Sequence, residues 1–215
     1  MMENIVPPAL TIGGLLEPFG IRLTGDQADQ LRTYLELLLR WNQRINLTGV
    51  RDPAQCVVRH FGESLYLGVV LKLDGRLVDI GSGAGFPGLA LKITSPTLRV
   101  LLLEPNGKKS AFLKEVVREC GFSDVEVRRA RIEDYAEEEK SRAFDLVTMR
   151  AVGGVKKLVP LAAGCLVEGG SLCLWTTSEM ANEIRQWSGQ INWSQTAKIP
   201  RSRERVILIG RRAAG

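Results

Sequence analysis

The sequence predicts an α/β fold, a mostly parallel sheet with helices on both faces, behind a helical N-terminal extension. Three observations predict it. From residue 76 onward, short apolar segments alternate with segments of helical character, and that alternation is the mark of a parallel sheet. A glycine-rich turn, Gly81-Ser-Gly-Ala-Gly85, joins the first apolar segment to a helix. Residues 24 to about 73 carry helical periodicity only. The chain therefore divides into an extension, residues 1–73, and an α/β domain, residues 74–215, together one compact unit. The extension is not expected to fold alone.

The elements follow in order. Thr24 and Gln27 form a capping-box pair, whose side chains satisfy each other's main-chain N–H groups. The helix they open is expected to reach about Leu47, with Leu31, Tyr34, Leu35, Leu38, Trp41 and Ile45 on one apolar face. Asp52-Pro53 opens a second helix, since Asp caps and Pro fits the first turn. Its apolar face holds Val57, Phe61 and Leu65, and Asp74-Gly75 turns the chain out of it. Strands are expected at 76–80, 99–103, 125–127, 144–149, 171–175 and 205–209. Helices are expected at 87–93, 108–120, 155–167 and 179–187. The second strand, Arg99 to Leu103, is apolar after its first residue, as a strand buried on both faces is.

Composition narrows the function classes. Hydrophobic residues make up 45% of the 215 and charged residues 25%, ordinary for a globular protein. No apolar run reaches the roughly 18 residues that span a membrane. The first eight residues have no basic segment and two prolines, unlike a secretion signal. Cys56, Cys120, Cys165 and Cys173 form no C-x-x-C pair, and there is one histidine, so neither a structural zinc nor another metal is expected. Reduced core cysteines and a cytoplasmic location follow. The net charge is +5, and residues 201–215 hold Arg201, Arg203, Arg205, Arg211 and Arg212 against one acid, Glu204. That stretch reads equally as a polyanion-binding surface and as a solvated tail. Glu133, Asp134, Glu137, Glu138 and Glu139 crowd together at the opposite sign.

The nucleotide site is the strongest local signal. Gly81, Gly83 and Gly85 follow a strand and precede a helix. Glycine turns sharply without a Cβ clash and lets a ligand approach the backbone, and the helix end offers free N–H groups. The pattern is G-x-G-x-G, with Phe86 and Pro87 next. Those two residues crowd the helix end where a dinucleotide packs its pyrophosphate, which favours a smaller ligand. Glu104 stands at the end of the second strand, about 20 residues past the glycines, where an acid accepts hydrogen bonds from ribose hydroxyls. After the third strand, Ile132 can pack on a purine face and Glu133 can read an adenine amine; both also suit a helix start.

These residues fall into blocks that resemble the bacterial 16S rRNA guanine-N7 methyltransferases, also called glucose-inhibited division protein B. The blocks are Trp41-Asn-Gln-Arg-Ile-Asn-Leu-Thr48, His60-Phe-Gly-Glu-Ser64, Asp79-Ile-Gly-Ser-Gly-Ala-Gly-Phe-Pro-Gly88, Glu104, Lys108-Lys109 with Phe112-Leu113, Arg131-Ile-Glu133 and Arg150-Ala151. They occur in order over most of the chain, and the Phe-Pro-Gly ending is the most specific part. The resemblance implies the Rossmann-like class I S-adenosylmethionine-dependent methyltransferase fold. It implies S-adenosylmethionine held by Gly81, Phe86, Ile132, Glu133 and Arg150. It also implies a guanine of 16S rRNA, free or in the small ribosomal subunit, as methyl acceptor. Two positions depart from the family's usual pattern: Glu63 replaces an Asp, and Trp175-Thr-Thr-Ser stands where a Lys-Gly pair is usual.

Methyl transfer to guanine N7 needs alignment more than acid–base help, because N7 carries no proton and lies on the major-groove edge. Arg150, just past the fourth strand, is the catalytic candidate, holding a carboxylate, a phosphate or guanine O6. The alternative for it is an ion pair with an acid on a neighbouring loop. Arg150→Ala is expected to fold and to lose most activity. His60, Lys156, Arg201 and Arg203 are candidates for RNA contact, with Arg40, Arg44, Arg51, Arg59, Lys157 and the remaining C-terminal arginines as further phosphate ligands. Asn42 and Asn46 share a helix face, and capping and RNA contact are equal readings of them. Oligomeric state is open, with a monomer favoured. The competing functions are methyl transfer to another acceptor, a nicotinamide-dinucleotide oxidoreductase, and a non-catalytic RNA-binding protein.

Overall fold

The computed structural model describes residues 9–138, 143–187 and 189–213. The N-terminal eight residues, read above for a leader, and Glu139 lie outside them. Two helices that pack side by side open the described chain, α1 (Ala9–Leu16) and α2 (Gly25–Asn42). Helical segments α3 (Pro53–Cys56), α4 (Glu63–Leu65) and α5 (Leu67–Val70) follow, with a wider π turn, Val57–Gly62, between the first two. The α/β part then runs β1 (Arg76–Ile80), α6 (Gly88–Thr94), β2 (Arg99–Leu103), α7 (Gly107–Glu119), β3 (Val125–Arg128), α8 (Ile132–Glu138), β4 (Phe144–Arg150) and α9 (Val155–Cys165). It closes with β5 (Leu166–Thr177), α10 (Ser178–Arg185), β6 (Ile191–Lys198) and β7 (Arg205–Arg212).

The seven strands form one sheet in the order β3-β2-β1-β4-β5-β7-β6. β1 to β5 are parallel, and β7 inserts antiparallel between β5 and β6. Strand β1 shows why the core strands read as apolar runs: Leu77 faces one core cluster, Val78 and Ile80 the other, so both faces are covered. On one side Leu77 and Leu102 pack with Leu31, Tyr34 and Leu38 of α2 and Phe112 of α7. On the other, Val78, Val147 and Leu172 pack with Ile132, Ala162 and Ile184. The extension thus shares a core with the sheet. Truncating a fully buried ring such as Phe112 to Ala there costs about 3–5 kcal/mol.

Local chemistry sets the boundaries. The capping box is present, with Thr24 Oγ1 accepting from Gln27 N at 3.3 Å and Gln27 Oε1 from Thr24 N at 3.0 Å. Helix α2 stops at Asn42 and not near Leu47, because Asn42 Oδ1 accepts the N–H groups of Leu47 (2.9 Å) and Thr48 (3.0 Å) while its amide donates to Thr48 O. A side chain that offers the backbone these partners replaces the next helical turn. Helix α9 ends at Cys165, and β5 begins at Leu166, earlier than expected, by pairing with Phe144. Three elements escaped the sequence reading: α1; α8, of which the sequence shows only a helix start at Ile132 and Glu133; and the edge strand β6, where a register shift between Trp193 and Gln195 interrupts the period-two pattern. All four cysteines are buried free thiols; burial pushes Cys56 up to about 11 and Cys120 up to about 12. Among the described residues, no helix is long and apolar enough to cross a membrane, and no cluster of metal-ligating side chains occurs.

Candidate functional site

Strand register assembles the site at one sheet edge. Ile80 pairs with Leu103 and with Met149, Arg150 with Trp175, Trp175 with Ile207 and Thr177 with Arg205. The Gly81 turn, Glu104, Arg150, Trp175 and Arg205 therefore lie side by side at the carboxyl ends of the parallel strands, where open α/β sheets take their ligands.

Gly81, Gly83 and Gly85 all have positive φ. At Gly81 a Cβ would stand 2.7 Å from Cγ1 of Val152, so only glycine lets the loop after β4 close onto the turn. Gly85 has a different reason: a Cβ there would collide with the Tyr34 hydroxyl and press on Leu113. Its glycine serves packing against the extension. The Tyr34 hydroxyl also donates to Ala84 O. Gly83 faces open space, the nearest atom to an added Cβ being Gly81 O at 3.8 Å. Its N–H donates to Glu104 Oε2 at 2.8 Å, while Oε1 of the same carboxylate accepts from Asn106 N at 2.8 Å. Glu104 is thus fixed on the glycine turn with lone pairs to spare. Phe86 is stacked on Tyr34 and on His60, with centroids 5.3 and 5.0 Å apart, and meets Phe61 edge-on. Its ring anchors the turn to the extension. Ile132 is buried at the first turn of α8 and Glu133 is exposed beside it.

Arg150 is not a free guanidinium. Nη2 donates to Glu63 Oε2 (2.9 Å) and to Arg59 O (2.6 Å), and Nη1 to Ser64 Oγ (3.1 Å) and His60 O (3.4 Å). The alternative for it is an ion pair with an acid on a neighbouring loop; the structure contains an ion pair, but its acid, Glu63, stands at the start of helix α4. Glu63, only 2% exposed, also binds Arg205, whose Nη2 and Nε lie 2.7 and 3.0 Å from Oε1. Desolvation lowers the Arg150 pKa and the Glu63 charge opposes that shift. A pocket of about 480 Å³ opens here, with Arg59, Glu63, Arg150 and Arg205 at its polar end and Val152, Leu174, Trp175 and Ile199 among its apolar walls.

The basic C-terminal stretch is not a tail. Arg205–Arg212 is strand β7, so its arginines are shared between the two ends of the sheet. Arg201 and Arg203 are exposed in the β6–β7 turn near the site. Arg211, exposed, pairs with Ser171 at the far end, and Arg212 is buried, donating to Ala163 O and to Leu166 O. Arg211 and Arg212 therefore do not join a phosphate surface at this edge, because the strand carries them away from it. Lys156 is exposed at the start of α9. Arg40 pairs with Glu115 at 2.6 Å, while Arg44, Arg51, Arg59 and Lys157 are exposed.

The chain matches the family described as rRNA small subunit methyltransferase G over residues 27–204. It belongs to that family. Curated relatives with the name Ribosomal RNA small subunit methyltransferase G include one from Streptococcus gordonii, 38% identical over 83% of this chain and 77% of the relative. Another, from Chloroflexus aggregans, is 37% identical over 89% and 84%. Among solved structures, M. jannaschii TYW2 in complex with AdoMet overlays 71% of this chain and 76% of its own with a TM-score of 0.58 at 16% identity, a likeness of fold.

Within this rRNA methyltransferase family, the two departures noted in the sequence meet in space. Trp175 Nε1 donates to the main-chain oxygen of Glu63 at 2.8 Å. Sequence reading missed Glu63, Ser64, Trp175 and Asp79 as site residues, and placed Arg205 only among the phosphate ligands. Asp79 is fully buried below the glycine turn, accepting from Thr148 Oγ1 at 2.7 Å and Gly88 N at 3.2 Å. Burial pushes its carboxyl up to about 6 against those hydrogen bonds. An acid in an otherwise apolar strand was the available signal. His60, an RNA candidate, is half-buried, with Nε2 2.7 Å from Thr48 Oγ1, and desolvation and the nearby Arg150 and Arg59 lower its pKa to about 3. It is neutral at physiological pH and tied to the loop after α2. Asn42, the last residue of α2, is buried with its side chain holding the loop at Leu47 and Thr48, while Asn46 is exposed beyond the helix end.

Proposed function

We propose that this protein transfers a methyl group from S-adenosylmethionine to N7 of a guanine in 16S rRNA, in the cytoplasm. Family membership supports the rRNA class. The observation that carries the reading is the juxtaposition, at one sheet edge, of the Gly83–Glu104 corner and the pocket lined by Arg150, with Val152 lining that pocket and standing against Gly81 of the same turn.

The residues suit the cofactor. Gly83 leaves open space above a fixed carboxylate, an acceptor for the hydroxyls of a ribose, and Ile132 offers an apolar side chain at the helix start. Gly81, Gly83, Glu104, Ile132 and Glu133 would hold it. When bound, it supplies an electrophilic methyl on a sulfonium. The chain's own contribution is alignment. Val152, which lines the acceptor pocket and stands against Gly81, links the two subsites. Apolar walls exclude water and receive a base edge. Arg150 spends its terminal N–H groups on the 59–64 segment, so its role is to position that segment and Glu63. Exposed Arg59 and Nη1 of Arg205, whose Nη2 and Nε are held by Glu63, remain to meet phosphate or O6. No general base is needed, since N7 attacks without losing a proton. Three arginines against one carboxylate suit an anionic ligand and not the cationic methylated base, which favours product release.

The test uses labelled S-adenosylmethionine with small subunits, or protein-free 16S rRNA, from cells lacking this activity. Label recovered as 7-methylguanine at one site supports the proposal. Bound cofactor with no label in rRNA sinks it.

A further inference from the structure

A second cavity shares no lining residue with the pocket at Arg150. It has a volume of about 330 Å³ and runs between α9 and β6. Lys156, Val159, Pro160 and Ala163 line it from one face of α9, at spacings of three and four, the periodicity of a helix side. Ile191 and Trp193, two apart on β6, line the other wall, and Trp187 after α10 closes an end. Both indoles are half-buried, presenting ring surface to the cavity without being sealed in the core. Lys156 Nζ stands 5.9 Å from the Trp187 ring centroid, within cation–π range. Gln190 supplies an amide. The lining holds one cation and no carboxylate, and Arg185, on α10, reaches across to Thr196 Oγ1 of β6 beside it. An apolar slot lined by two indoles, one of them beside the Lys156 ammonium, is matched to a ring that carries negative charge on its tether.

Resting on the rRNA reading above, we infer that this groove is a second RNA contact, a stacking site for an unpaired base with its phosphate on Lys156. The observations favour RNA over a protein segment. Aromatic walls stack any base through its π face, and alanine-scale loss of one such contact weakens binding several-fold to about a hundredfold. An amide can read a base edge. A peptide docking on an apolar helix face would need no cation and would prefer a longer groove. The site also gives Lys156 a role distinct from the acceptor pocket, which does not include it.

The experiment uses the full chain and three variants, Trp187→Leu, Trp187→Phe and Lys156→Ala. Binding to protein-free 16S rRNA and methylation of small subunits are measured, with S-adenosylmethionine affinity and thermal midpoint as controls. The expected result is an rRNA Kd and KM raised about tenfold in Trp187→Leu, with less change in Trp187→Phe, kcat and cofactor affinity being unchanged. Lys156→Ala should weaken binding and flatten its salt dependence. Unchanged RNA affinity in both Trp187→Leu and Lys156→Ala overturns the inference, and so does a loss seen with assembled subunits but not with protein-free rRNA, which would assign the groove to a ribosomal protein. A wild-type chain that binds rRNA but methylates none would overturn the proposed function and leave the groove standing. If Trp187→Leu does not fold, Trp193→Phe decides: it should remove part of the fluorescence quenching on adding a uridine decamer, and unaltered quenching counts against the site.

Discussion

Nη2 of Arg150 lies 2.9 Å from Oε2 of Glu63, joining the end of β4 to the helical extension. The same carboxylate holds Arg205 of β7, so three segments distant in sequence meet on one anion. Removing one member of a buried pair strands the other charge in low dielectric, at a typical cost of about 3–5 kcal/mol. Arg205 remains to Glu63, which softens the loss. Arg150→Ala is therefore expected to lose most methyl transfer and also about 2–3 kcal/mol of stability, unlike the undisturbed folding expected from sequence. Urea midpoints read beside turnover check this; a wild-type midpoint would show that the pair does not hold the segment.

Tyr34 should act on cofactor binding from outside the site. Its hydroxyl donates to Ala84 O in the glycine turn. Tyr34→Phe keeps the ring stacking on Phe86 and leaves that buried carbonyl unpaired, at a cost of about 1–3 kcal/mol. The expected outcome is a KM for S-adenosylmethionine raised severalfold with kcat little changed. A fall in kcat at constant KM would place Tyr34 in another role.

Stability against pH carries two opposed contributions. His60 has a folded pKa near 3, below its unfolded value of about 6.5. The unfolded chain takes the proton first, so stability is full above pH 6.5 and falls as pH drops towards 3. Asp79 has a folded pKa near 6, above its ordinary 3.8. There the folded state takes the proton first, so stability rises as pH drops from 6 to 3.8. The two largely cancel between about pH 4 and 6. In His60→Gln the Asp79 slope should stand alone, and in Asp79→Asn the His60 slope should, with opposite sign. Denaturation midpoints across that range test it, and parallel profiles in both variants would contradict it.

Arginine position, not number, should govern RNA affinity. Arg203 is exposed in the turn beside the site, whereas Arg211 sits at the opposite end of the sheet. Arg203→Ala is expected to weaken rRNA binding and to lower the steepness of its salt dependence by about one phosphate contact. Arg211→Ala should change neither. Equal effects from the two would mean that RNA wraps both ends.

Residues 1–73 alone should not fold, and residues 74–215 alone should expose apolar surface. Leu31, Tyr34 and Leu38 share one core with Leu77, Leu102 and Phe112. Circular dichroism of the two fragments measures this; native-like, cooperative melting of either would divide the chain into independent units.

Local sequence carries the alternation of strand and helix, the glycine turn, the acid after β2 and the capping box, because each rests on contacts a few residues apart or on a local backbone need. It also carried the family resemblance, through blocks in fixed order. Which side chains are spent depends on packing between segments far apart in the chain. Glu63 and Trp175, 112 positions apart, meet through the pairing of β4 with β5 and the packing of the extension. Likewise, Arg201 and Arg212 look alike in a basic stretch, yet a strand rising through the sheet leaves one in solvent and buries the other. Hydrogen-bond partners set by long-range register leave no trace in local periodicity.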